Sequence, residues 1–147
     1  RGTLFEAGDY TGAAARFESA LRLDPSHVPS LCNHALLLEN TRDDSDARGE
    51  DGIAEDVTRA EELYRRAEEL RPGDVDVLYQ QALFRKNVRG DVDGAEGLFR
   101  RILAMDPAEA TTLVNYGLLL QQDRGDLHRA EAVYERALRL DPARLSD

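Results

Sequence analysis

Apolar residues recur along this chain at the three-and-four spacing of one helical face. From Tyr10 to Leu23 the stripe is Tyr10, Ala13, Phe17, Ala20 and Leu21, which predicts an amphipathic helix. Asp24-Pro25 then closes it, because the residue before a proline is driven away from helical angles. The same phrase returns three more times with drift. Its quartets are Tyr10/Ala13/Phe17/Pro25, Val57/Ala60/Tyr64/Pro72, Val92/Ala95/Phe99/Pro107 and Leu127/Ala130/Tyr134/Pro142. Pro72, Pro107 and Pro142 lie 35 residues apart, whereas Pro25 and Pro72 are 47 apart, so about a dozen residues are inserted in the second copy. A period in the mid-thirties with this punctuation predicts an array of helical repeats.

A second helix is predicted before each of the later phrases. These run from Val28 to about Asn40, with Pro29 in a first turn where its missing N–H costs nothing, from Val75 to about Val88, and from Ala110 to about Gln122. The following helices are expected over roughly Tyr10 to Leu23, Glu55 to Leu70, Val92 to Met105 and Leu127 to Leu140. Gly8-Asp9, Gly90-Asp91 and Gly125-Asp126 read as turn and cap, since glycine accepts the turn geometry and aspartate caps the next helix. Glu55 replaces that glycine in the second copy, so the helix there is expected to start up to a turn early. Residues 41–54, with Asp43, Asp44, Asp46, Glu50, Asp51, Gly49 and Gly52, read as a polar acidic loop.

The pattern resembles the tetratricopeptide repeat (TPR) family over nearly the whole chain. The resemblance implies an all-α fold, a right-handed α-solenoid of antiparallel helix pairs A and B. One array is expected over 1–147: a partial repeat 1 (1–25), with Leu4 and Phe5 packing inward from the end of an A helix, repeat 2 (28–72) carrying the insertion, repeat 3 (75–107), repeat 4 (110–142) and a tail (143–147). The small residue that the family places eight positions into helix A is Ala35, Ala82 or Gly117. His34 stands where the family has a buried leucine. Neither end carries a polar capping helix of the kind solenoids use, so neighbouring repeats or subunits are expected there.

In such arrays the A helices line a concave groove. The family's groove positions correspond here to Pro29, Cys32, Asn33, Leu36, Glu39 and Asn40, then Asp76, Tyr79, Gln80, Leu83, Lys86 and Asn87, then Thr111, Val114, Asn115, Leu118, Gln121 and Gln122. The candidate groove residues are Asn33, Leu36, Asn40, Tyr79, Gln80, Leu83, Asn87, Asn115, Leu118 and Gln122. They form a ladder of leucines rimmed by amides, suited to an extended peptide or a helix. The alternative for the leucines is contact with the next helix of the stack. The carboxylate clamp of chaperone-binding members needs basic residues where this chain has Asp76 and Gln80, and Asn33 alone matches it.

Charge narrows the partners. A formal net charge of −10 disfavours a sequence-blind nucleic-acid binder, which needs a surplus of lysine and arginine, and suits neutral to basic proteins or peptides. No apolar run is long enough to span a membrane, and the expectation is a soluble intracellular protein. The lone Cys32 provides no disulfide.

Candidate chemistry is sparse. Cys32 and His34, two residues apart on a helix, diverge by about 200°, and no Cys-x-x-Cys or i, i+4 histidine pair is present. The serines lack a nucleophile-elbow setting, and the recurring glycines are turn residues rather than a phosphate cradle. Asp44, Asp46, Gly49 and Glu55 fall at positions one, three, six and twelve of an EF-hand-type loop, but Arg48 stands where an oxygen ligand belongs. The expectation is therefore no enzyme, no cofactor and no metal. The leading function is a protein-interaction scaffold that holds a peptide or helix in its groove. The alternative is a structural piece of a large multiprotein assembly, contacted through its convex face and open ends.

Overall fold

The computed structural model describes residues 7–40 and 45–140, and the side-chain surroundings of 12–39 and 54–140. Seven α-helices run α1 (Ala7–Leu23), α2 (Val28–Asn40), α3 (Ser45–Leu70), α4 (Val75–Phe84), α5 (Val92–Met105), α6 (Ala110–Leu118) and α7 (Leu127–Leu140). No strand occurs among the described residues. Leu4, Phe5, Pro142 and the tail lie outside them. The chain divides into two compact units, residues 1–80 and 81–147.

In unit 1, short turns force consecutive packed helices to run antiparallel. Val28 and Leu31 of α2, Ala67 of α3 and Val77 of α4 are buried in one cluster, flanked by Leu21, Cys32 and Leu63. Ala60 and Tyr64 of the second quartet are also buried. The Tyr64 hydroxyl donates to the Glu39 carboxylate, tying α3 to α2, and Arg66 Nε reaches the carbonyl of Pro25 at 3.3 Å.

In unit 2 the same scheme recurs. Ala95, Phe99, Ile102, Leu113, Leu119, Leu120 and Ala137 are buried, and the Phe99 and Tyr116 rings meet at 6.2 Å. Gly117 is small because α7 crosses there: a Cβ added to it would lie 2.8 Å from Tyr134 Cδ1. Tyr134 Oη donates to Gln121 Oε1 at 3.0 Å, and Arg136 reaches the carbonyl of Pro107 at 3.3 Å. Each bond repeats one made in unit 1 by the matching residue.

One capping device starts the helices. Side chains of His27, Asp74, Asp91, Glu109 and Asp126 accept from the backbone N–H three residues on, which satisfies one of the N–H groups a helix start leaves without a partner. At the Asp-Pro corners, Asp24 and Asp106 accept from the N–H two residues on.

Three segments differ from the sequence expectation. Residues 45–54 belong to α3, which starts ten residues before the expected Glu55. No proline interrupts the chain between Pro29 and Pro72, and two interior glycines each cost only about 1 kcal/mol of helix propensity, so an acidic composition did not prevent helix. Residues 41–44 lie outside the description. Residues 7–9 are also helical, in α1, where a turn at Gly8-Asp9 was expected. Finally, α4 and α6 do not continue as α-helix to Val88 and Gln122. They widen into π-helical turns at Arg85–Arg89 and Leu119–Asp123. The reason is the exit: Gly90 and Gly125 have φ of 67° and 66°, which lets the N–H groups of Asp91 and Asp126 reach back to the carbonyls of Arg85 and Leu120, both at 2.8 Å.

Candidate functional site

The groove positions of unit 1 converge on a cleft between the first turns of α2 and α4. Its volume is about 210 Å³. Pro29, Cys32 and Asn33 contribute one wall, and Asp76 and Gln80 the other. Val28 and Val77, both buried, form the floor. The corner Arg71–Asp74 closes one side, with Arg71 Nη1 3.9 Å from Asp74 Oδ2 and Asp74 Oδ1 capping α4 at Val77. Burial, and then the charge of Asp74, push the Cys32 thiol above its ordinary pKa.

The structure therefore brings Asn33 and Gln80 to one cleft. The other candidate residues of unit 1 stand apart from it: Leu36 and Tyr79 are half-buried, and the Asn40 side chain lies outside the described ones. In unit 2, Leu83, Asn115 and Leu118 are half-buried, and Asn87 and Gln122 are exposed. Asn115 Nδ2 donates to the carbonyl of Thr111 at 2.8 Å, so this amide is partly used by its own helix. Gln121 is used by Tyr134. Lys86 Nζ lies 3.6 Å from Asp123 Oδ2, which joins the last turns of the two A helices of this unit.

A second polar cluster, not anticipated from the sequence, sits behind α6. Glu96 of α5 is only 8% exposed. Its Oε2 accepts from the Tyr116 hydroxyl at 2.7 Å and from Arg129 at 2.9 Å, and its Oε1 accepts from Arg124 Nη2 at 2.7 Å. Burial alone would raise the Glu96 pKa, but the hydrogen bonds from Tyr116, Arg124 and Arg129 outweigh it and bring it down to about 2. The cluster links three helices and is fully paired, which makes it a brace rather than a reaction centre. The signal for it in the sequence was Tyr116, standing where the family has a leucine, the position that His34 fills in repeat 2.

His34 is buried at 1% exposure and stacks on Phe17 with ring centroids 6.0 Å apart. Its Nδ1 has no hydrogen-bond partner. Among the described residues no group of three or more His, Cys, Asp or Glu side chains is arranged to hold a metal ion. The EF-hand-type spacing falls on the continuous helix of residues 45–55, whose backbone does not wrap as a calcium loop must, and Asp44 lies outside the description. No described helix is long and apolar enough to cross a membrane.

Antiparallel helix pairs, repeated with the same small-residue crossing, cap and exit turn, define a helical-repeat scaffold of the class that binds other proteins. The tetratricopeptide repeat model matches residues 3–51, 54–110 and 86–144, and the chain belongs to that family. Among solved structures it is similar to MamA 41-end from Desulfovibrio magneticus RS-1, with 16% identity and a TM-score of 0.71 over 95% of this chain and 71% of that one. It is similar to PilW, described as a widely conserved type IV pilus biogenesis factor, with 21% identity and a TM-score of 0.73 over 95% of this chain and 58% of that one. A tetratricopeptide repeat protein from Parabacteroides merdae ATCC 43184 gives 18% identity and a TM-score of 0.71 over 95% of this chain and 50% of that one. At these identities the likeness is one of fold, that of the TPR-like α-solenoid. No curated protein matches the chain significantly in sequence.

Proposed function

We propose that this scaffold holds a peptide or helix of a neutral to basic protein partner in the groove lined by its A helices. The observation that carries the proposal is the pairing of Asn33 and Gln80. They occupy matching positions of successive A helices and share one cleft, and neither side chain has a hydrogen-bond partner among the described residues. Amides so placed suit the backbone of an extended peptide, while the half-buried Leu36, Leu83 and Leu118 supply apolar contact. The test begins with peptides selected from a random library on the immobilised chain. Replacing Leu83 and Leu118 together by glutamate should weaken the selected peptides by tenfold or more, with helical circular dichroism unchanged. Unaltered affinity in a folded double variant would refute groove binding.

A second reading, a structural role in a larger assembly, is favoured by a different observation. Leu23, Leu70 and Met105 hold the same position in the last turn of successive B helices and are 90%, 39% and 50% exposed. Contact through those helices would spare the leucine double variant and respond to Leu70→Glu with Met105→Glu.

A further inference from the structure

The rim of the α2/α4 cleft carries polar side chains open to water, Asn33 and Asp76 exposed and Gln80 half-buried. Among the described residues the side chains of Asn33, Asp76 and Gln80 make no hydrogen bond or ion pair. The remaining charged groups of the rim are engaged with each other, Arg71 with Asp74 at 3.9 Å. The unit 2 counterpart of Asn33 behaves differently, since Asn115 folds back onto the carbonyl of Thr111 at 2.8 Å. The cleft thus combines an apolar floor with two amides and one carboxylate that have no side-chain partner among the described residues.

Size and charge together select an occupant. A volume of about 210 Å³ is below the roughly 300–1,000 Å³ of pockets for small-molecule ligands, and suits a single side chain. An anionic side chain would meet Asp76 on a chain of formal net charge −10, with Arg71 already paired. A purely apolar one would cover Asp76 without giving it a partner, which is unfavourable for a charged group. A basic side chain satisfies both surfaces, because lysine and arginine lay an aliphatic stem on apolar surface and keep the charged head outside.

We propose that this cleft is a specificity pocket for a lysine or arginine side chain of the groove-bound peptide. The stem lies over Val28 and Val77, the cationic head meets Asp76, and Asn33 and Gln80 hold the flanking peptide backbone. The proposal rests on the groove reading and deepens it by naming the residue class that the first groove segment selects.

The test is a nuclear magnetic resonance titration of the isotope-labelled 147-residue chain with blocked alanine pentapeptides carrying a central lysine, norleucine or glutamate. The lysine peptide is expected to shift the side-chain amide signals of Asn33 and Gln80 saturably. Norleucine and glutamate peptides should bind roughly two- to fivefold more weakly, the range of an exposed ion pair. Asp76→Asn should bring the lysine peptide down to the norleucine level. Glu69→Gln, an equal change of charge at an exposed position of α3, should leave it unchanged. If all three peptides shift those amides equally, the groove reading survives and the basic-side-chain pocket is refuted. If Asp76→Asn and Glu69→Gln weaken the lysine peptide equally, the attraction is to net charge and the pocket is refuted. If no peptide shifts any α2 or α4 signal, both readings fall.

Discussion

Tyr134 of α7 donates a 3.0 Å hydrogen bond to Gln121 at the end of the preceding A helix, and Tyr64 of α3 does the same to Glu39, the matching position one unit earlier. Where the B helix carries Phe99 instead, with no hydroxyl to donate, the matching A position is Lys86, which pairs with Asp123. Each tyrosine thus has its acceptor and the phenylalanine does without one. Tyr64 is fully buried, whereas the Tyr134 bond is exposed. Tyr64→Phe should therefore destabilise the chain by about 1–2 kcal/mol and Tyr134→Phe by roughly 0.5 kcal/mol, read from urea unfolding midpoints.

Glu96 gives unit 2 an acid limit. Its folded pKa is about 2, below the roughly 4.3 of an unfolded glutamate. The unfolded chain takes up the proton first as pH falls, so the stabilisation is complete above about pH 4.3 and drains away toward pH 2. Glu96→Gln should cost about 2 kcal/mol at neutral pH, because it weakens charge-assisted bonds to Tyr116, Arg124 and Arg129. It should also flatten the loss of stability over that acid window, measured by chemical denaturation at successive pH values.

His34 works at a milder pH. Burial, with Arg59 adding to it and Glu18 opposing, lowers its pKa below the ordinary histidine value. Unfolded histidine takes up its proton near pH 6.5. Stability is therefore complete above that value and falls as pH drops below it, until the lower folded pKa is reached. His34→Leu restores the apolar residue of the family and removes a buried nitrogen without a partner. It should stabilise the chain by about 1 kcal/mol and reduce the difference in stability between pH 7 and pH 5. A variant that is less stable at pH 7 would show that stacking on Phe17 outweighs the unpaired nitrogen.

Gly117 marks a close approach of α6 to α7. A methyl group there would press on the Tyr134 ring, 2.8 Å from Cδ1 and 2.9 Å from Cζ. Gly117→Ala should cost about 1–3 kcal/mol through overpacking, although alanine is the better helix former by about 1 kcal/mol. A variant that unfolds at higher temperature than the parent chain would contradict this.

Much of the fold was written in local spacing. Ala60, Ala95 and Ala130, and Tyr64 and Phe99, are buried where the quartets place them, because a 3.6-residue period fixes which side chains share a face. Two helix starts were legible as Asp91 and Asp126, since a cap acts on its own first turn. What escaped depends on longer reach or on context. Glu96 is one residue from Ala95 at the edge of an apolar stripe, and its hydrogen-bond partners lie 20 to 33 residues away. Residues 45–54 carry the charges and glycines of a loop, yet they belong to the helix that runs on to Leu70. Of the groove, the positions of Asn33 and Gln80 were legible, but their freedom from internal bonds and the engagement of Asn115 were not.

The central claim is that the A helices carry the binding surface. Hydrogen–deuterium exchange of the chain with and without a selected peptide tests it most directly. The account predicts added protection in α2, α4 and α6. Protection confined to the last turns of α1, α3 and α5, around Leu23, Leu70 and Met105, would contradict it.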